Sequence, residues 1–312
     1  MNKLKTTISL ILLLFLSITL VAQSDDTFIN DSTFIAEPLS PEAFEVMRLF
    51  FTYDKEFPLE VAIIETTNNE EYSVEKIEFN SVHENRVPGI LAVPKTDNAP
   101  FPCVLLLHGA GAGGAKENWF DESDNYFGVA QGLLVSGYAV MMLDAKFFGE
   151  RKSENEYENP LYFIREKQWR NIERDMLVQT TIDYRRAIDY LETRNDINAS
   201  KIGVIGSSMG AMTTFLLTGV EPRVKVAVAK AAPNIQRKYS ANSPYNFATA
   251  IKTQPFLMLA GKSDPFSGFY GSQQMFDLVT STTKELIFYD SGHQLPEEWK
   301  EESIKWIQKY LK

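Results

Sequence analysis

The pentapeptide Gly206-Ser207-Ser208-Met209-Gly210 sets a serine between two glycines in the spacing G-x-S-x-G, directly after the apolar run "KIGVI" and directly before "AMTTFLLTGV". In a sharp turn from strand to helix this spacing exposes the central serine, and the glycines let strand and helix crowd around it. Ser208 is therefore the candidate nucleophile, and the start of a helix adds favourable electrostatics for an anion nearby. A serine hydroxyl attacks a carbonyl at neutral pH only when a base takes its proton, and histidine titrates in the suitable range. The chemistry these residue types support is acyl transfer.

Three histidines are available as that base. His83 falls in an early predicted hairpin, His108 opens a glycine-rich loop, and His293 lies in a loop after the last predicted strand and before the last helix. Where a serine elbow tops an α/β sheet, the partners follow in the order serine, acid, histidine, and only His293 follows Ser208. His108 is instead expected to fix its own loop by hydrogen bonding. Between Ser208 and His293 stand Glu221, Asp264, Asp277, Glu285 and Asp290. Asp264, just beyond the strand in "PFLMLAGKSDPF", can reach the second ring nitrogen and hold its tautomer. Asp277 falls inside a predicted helix, and Asp290 precedes His293 too closely for easy geometry, so Asp264 is preferred.

The segment "LLLHGAGAGG" carries Gly109, Gly111 and Gly114 in the spacing G-x-G-x-x-G. A dinucleotide loop should run into a helix and be followed about twenty residues on by an acidic residue at the next strand's end. Here it runs into the polar "AKENWFDESDNY", and Asp144 comes too late. Backbone donation to an oxyanion fits better, because small residues let amides approach a developing negative charge. Ala110 or Gly109 would supply one donor and the Met209 amide the other.

Of the elements that must hold these groups, "SPEAFEVMRLFFTY" has the spacing of a short amphipathic helix, started by Ser40 or Glu42. "YSVEKIEFNSV" and "RVPGILAVP" alternate around "HEN" and predict an antiparallel hairpin. Six short apolar runs follow, "PCVLLLH", "YAVMMLD", "KIGVIG", "VKVAVAKA", "PFLMLAG" and "KELIFYD", separated by segments of helical spacing. Continuous apolar runs predict strands covered on both faces in a parallel sheet. The class is α/β, a mostly parallel central sheet with helices on both faces and an N-terminal antiparallel hairpin. Residues 145–162 and 233–253 are too long for tight turns and are placed to wall a site.

The chain has 312 residues, 44% hydrophobic, with a formal net charge of −10. An acidic surface disfavours nucleic acid and anionic membranes. Lys3 and Lys5 precede an apolar run too short to span a bilayer comfortably, which reads as a secretory signal over residues 1–22. Residues 23–70 are expected to form an extension whose short helix packs on the body, and residues 71–312 the catalytic domain. The mature protein is expected in the periplasm or medium of a bacterium, free of the membrane. The one cysteine, Cys103, cannot form an intramolecular disulfide, and the histidine spacing supports no metal site.

Taken as an ordered set, "LLLHGAGAGG", "LDAKFFGER", "IGSSMGA", "LAGKSDPF" and "YDSGHQLP" resemble the α/β-hydrolase superfamily. They look most like bacterial dienelactone hydrolase and prolyl oligopeptidase-like esterases, a set that includes relatives of acetyl xylan esterases. The likeness covers residues 86–312. It implies a serine hydrolase that works through an acyl-enzyme, uses no cofactor and takes a small-molecule ester. Dienelactone hydrolases use cysteine where this chain has Ser208, and the oligopeptidases carry a β-propeller that this chain is too short to encode. An esterase is therefore expected ahead of a short-peptide hydrolase, an acyltransferase or a silent binding scaffold. Phe147 and Phe148 in "LDAKFFGER", with Trp119 and Trp169, are candidate pocket residues, although core packing is the more common outcome for such aromatics.

Overall fold

Parity within the apolar runs decides how the sheet is covered. In β4 (Phe101–Leu107), Cys103, Leu105 and Leu107 enter one hydrophobic cluster while Val104 and Leu106 enter another. In β5 (Ala139–Leu143), Ala139, Met141 and Leu143 divide from Val140 and Met142 in the same way. Successive strand residues point to opposite faces, so a run that is apolar at every position requires a layer on each side. Helices supply both layers. On one face α2 (Phe127–Val135) and α7 (Glu298–Tyr310) cover the strands with Val129, Leu133, Trp299, Trp306 and Ile307. On the other lie α3 (Arg170–Glu192), α4 (Met209–Val220) and α6 (Gly268–Leu278).

The computed structural model describes residues 37–82, 85–110, 114, 127–154, 170–235 and 238–312. Among these residues the sheet has nine strands in the order β1-β2-β3-β5-β4-β6-β7-β8-β9. The remaining strands are β1 (Ala62–Asn68), β2 (Tyr72–Asn80), β3 (Arg86–Pro94), β6 (Ile197–Ser207), β7 (Val224–Lys230), β8 (Phe256–Gly261) and β9 (Lys284–Tyr289). From β5 through β9 every pairing is parallel, and β1, β2 and β3 pair antiparallel before β3 joins β5. The β2–β3 hairpin closes in register from Tyr72 opposite Pro94 to Asn80 opposite Arg86.

Two elements go beyond the sequence reading. β1 lies within the stretch expected to be an extension, and it adds a third antiparallel strand to the hairpin. A register shift between Ile63 and Glu65, together with exposure of most of its residues, removes the alternation that would have marked it. The long connection after β7 contains a short helix, α5 (Pro244–Ala248), and Asn242, Tyr245, Asn246 and Phe247 in it are buried.

The N-terminal segment is fastened to this body. Ser40 caps α1 (Pro41–Arg48), its hydroxyl accepting from the Ala43 amide at 3.3 Å. Phe51 is fully buried, with its ring edge-on to Phe247 at 5.2 Å. From α3, Arg185 donates to the Phe51 carbonyl, and Arg186, also fully buried, donates to the carbonyls of Lys55 and Phe57. Residues 1–22, the expected signal, lie outside the described residues, as does His83.

Candidate active site

β6 ends at Ser207 and α4 begins at Met209, so the whole change of direction falls on Ser208. Its φ of 54° and ψ of −116° lie in a region L-residues rarely enter, at a cost of about 1–3 kcal/mol that the surroundings must hold in place. They do so through the backbone. The Ser208 amide donates to the Lys230 carbonyl of β7 at 2.9 Å, and its carbonyl accepts from Ala211 at 2.9 Å and Met212 at 3.1 Å. A β-carbon at Gly206 would strike the Gly210 carbonyl and the Thr214 hydroxyl, and one at Gly210 would strike the Leu107 carbonyl of β4. The two glycines of the pentapeptide are thus required by contact between strand, helix and neighbouring strand.

Two other loops converge on the serine. His293, carried just beyond β9, places Nε2 at 2.9 Å from Ser208 Oγ and Nδ1 at 2.8 Å from Asp264 Oδ2. Asp264 is buried in the loop after β8, and its second oxygen accepts from the Phe266 amide at 2.9 Å. With the carboxylate on Nδ1, the proton sits there and Nε2 is left to accept from the serine hydroxyl. The Phe266 ring stands edge-on to the imidazole, centroids 4.7 Å apart. The rival acids lie elsewhere. Asp277 accepts from Gln273 along α6, Asp290 pairs with Lys262 in solvent, and Glu221 is held by Arg185 and Arg223.

The glycine-rich loop meets the elbow directly. A β-carbon at Gly109 would lie 3.4 Å from that of Ser208, so the loop backbone runs against the serine. His108 sets its course, Nδ1 donating to the Gly109 carbonyl at 2.6 Å and Nε2 accepting from the Ala145 amide at 3.0 Å. Burial pushes its pKa down, which keeps the ring neutral. Met209 opens α4, and the first amides of a helix have no intrahelical acceptor. Ala110 follows Gly109 and is partly buried against the core, while residues 111–113 lie outside the described residues.

Among the pocket candidates, Phe148 is buried with its ring edge-on to His108 at 5.5 Å, packed beneath the loop instead of opening to solvent. Phe147 is partly buried with φ of 73°, and the Lys146 ammonium lies 5.1 Å from its ring centre. Trp119 and Trp169 lie outside the described residues. The Cys103 thiol is fully buried and its pKa is pushed up by burial, so it offers no competing nucleophile. Sequence reasoning did not single out Phe266, because an isolated aromatic residue in a loop belongs to no periodic pattern.

A family model described as the alpha/beta hydrolase fold matches residues 102–248. YtaP of Bacillus subtilis, a protein assigned to the hydrolases, is 22% identical over 303 residues, spanning 86% of this chain and 98% of its own length. Esterase EstD of Thermotoga maritima is 27% identical over 140 residues, 45% of this chain and 29% of that protein. Acetyl xylan esterase 1 from a Thermoanaerobacterium superposes with a TM-score of 0.70 at 16% identity, covering 91% of this chain and 96% of that one. The acetyl xylan esterase of a Paenibacillus gives 0.69 at 17%, covering 90% and 98%. The sheet order, the strained serine between β6 and α4, the family-model match and the structural likenesses together show that the chain has the α/β-hydrolase fold.

Proposed function

We propose that this chain is an exported serine hydrolase of carboxylic esters, with Ser208 as nucleophile, His293 as general base and acid, and Asp264 as the group that orients the imidazole. The observation that carries the reading is the unbroken pair of hydrogen bonds from Ser208 through His293 to buried Asp264, at 2.9 and 2.8 Å. As Ser208 Oγ bonds to the ester carbonyl carbon, its proton passes to His293 Nε2, and the carbonyl oxygen takes up negative charge. The amides of Met209 and of Ala110 or Gly109 stabilise that oxyanion, each such donor contributing about 3 kcal/mol to the transition state. When the intermediate collapses, the bond to the alcohol oxygen breaks and His293 returns the proton to the leaving alcohol. Water then attacks the acyl-serine by the same route, releasing the acid and restoring the hydroxyl.

Small acyl or carbohydrate esters are the substrates this reading favours, with support from the acetyl xylan esterases among the structures it resembles. Export rests on the signal-like residues 1–22. The test is turnover of p-nitrophenyl acetate, butyrate and octanoate by the parent protein and by Ser208→Ala, with a fluorophosphonate as covalent label. The parent should be labelled on Ser208 and turn over the short esters. The variant should take no label and fall by at least about 10³-fold, while keeping the parent's melting temperature. Ester hydrolysis that survives in the folded variant refutes the assignment.

A further inference from the structure

We propose that Phe266 is a positioning residue for His293, an inference that rests on the catalytic reading of Ser208, His293 and Asp264. The imidazole is held by hydrogen bonds at Nδ1 and Nε2, 2.8 Å to Asp264 and 2.9 Å to Ser208. These two bonds leave the ring from opposite sides. Together with the covalent bond from Cγ to Cβ they place the ring, but the Nε2 bond is given up each time the proton moves to a new partner, and the ring can then swing about χ1 and χ2. His293 sits in the loop beyond β9, and its side chain keeps 21% of its surface exposed, so part of it borders solvent and the rest packs against neighbours. A packed neighbour on the covered side limits that swing.

Phe266 supplies that contact. Its ring centre lies 4.7 Å from that of the imidazole at an interplanar angle of 76°, within the range where edge-to-face pairs attract. Its own backbone is pinned at both ends, the amide donating to Asp264 Oδ1 at 2.9 Å and the carbonyl accepting from the Asn234 amide at 3.1 Å. One residue therefore orients both partners of the serine. The amide occupies one carboxylate oxygen, which reserves Oδ2 for His293, and the ring limits how far the imidazole swings from the orientation in which Nε2 faces Ser208. His293 must aim Nε2 at the serine, then at the leaving oxygen, then at water, so a tilted ring degrades every proton transfer while leaving ester binding alone.

The experiment compares the parent, Phe266→Leu and Phe266→Tyr as full-length proteins. Serine sites are titrated with a fluorophosphonate, kcat and KM are measured per titrated site on p-nitrophenyl acetate, and the downfield proton resonance of His293 Nδ1–H is recorded. Phe266→Leu should lower kcat about tenfold with KM within about twofold of the parent, and should broaden the Nδ1–H resonance. Phe266→Tyr, which keeps the ring, should restore kcat to within about twofold and the resonance to its parent width. If Phe266→Leu only lowers the titrated fraction or the melting temperature, with kcat per site and the resonance unchanged, Phe266 is packing and the inference falls. A parent that takes no label and hydrolyses no ester overturns the catalytic reading itself, a result separable from the first.

Discussion

At the scale of single residues, the two described histidines near the serine have opposite duties set by burial. His293 is partly exposed and bonded to a carboxylate, whereas His108 is fully enclosed and bonded to backbone on both nitrogens. Burial holds the folded-state pKa of His108 below its ordinary 6.5. Below about pH 6.5 the unfolded chain takes up a proton that the folded chain refuses, so stability from this residue is complete above that pH and falls as the pH drops toward the folded value. The slope is at most about 1.4 kcal/mol per pH unit for one proton. Urea midpoints measured from pH 7.5 to 5 should therefore fall less steeply for His108→Gln than for the parent, although the variant starts lower. Equal slopes would place the acid sensitivity elsewhere. Which histidine could serve as base was legible from position along the chain. That Phe266 touches it was not, because the contact joins two loops with no local pattern.

Among the elements, β4, β6 and α4 meet at the serine with no room for a side chain between them. A β-carbon at Gly210 would stand 2.5 Å from the Leu107 carbonyl carbon and 2.7 Å from the His108 oxygen, both backbone atoms that can yield only by moving β4 and its loop. Gly210→Ala should cost about 3 kcal/mol and lower kcat at least about tenfold, since the loop that runs against Ser208 must shift with it. Gly137→Ala is the control, for that glycine has φ of 84° but open space around its missing side chain. It should cost about 1 kcal/mol from backbone strain and leave kcat alone. Thermal melts and initial rates on both variants decide the matter, and equal kcat in the two would contradict a crowded elbow. Parallel strands buried on both faces were legible because each position repeats the same apolar choice. β1 and α5 were not, one broken by a bulge and exposed, the other only five residues long.

For the molecule as a whole, stability depends on a segment distant from the serine in sequence. Phe51 is completely enclosed against Phe247 of α5, and Arg185 and Arg186 of α3 hold the carbonyls around it. Phe51→Ala should lower unfolding free energy by about 3–5 kcal/mol, the usual cost of emptying a buried aromatic site. In the absence of urea, turnover per titrated site should stay within about twofold of the parent. A small stability loss would mean that the segment contributes little to the core, against its burial.

Sequence alone determined the α/β class, the elbow and the short set of acids and bases that could serve it, because turn chemistry and strand burial are imposed by neighbours along the chain. Tertiary structure alone decided which of them meet. His293 and Ser208 are 85 residues apart, and His293 and Asp264 are 29 apart. Their hydrogen bonds exist because β6, β7, β8 and β9 lie side by side and parallel, which brings the loops at the ends of these strands to one edge of the sheet. Strand order is set by the packing of whole faces, which no local run of residues encodes.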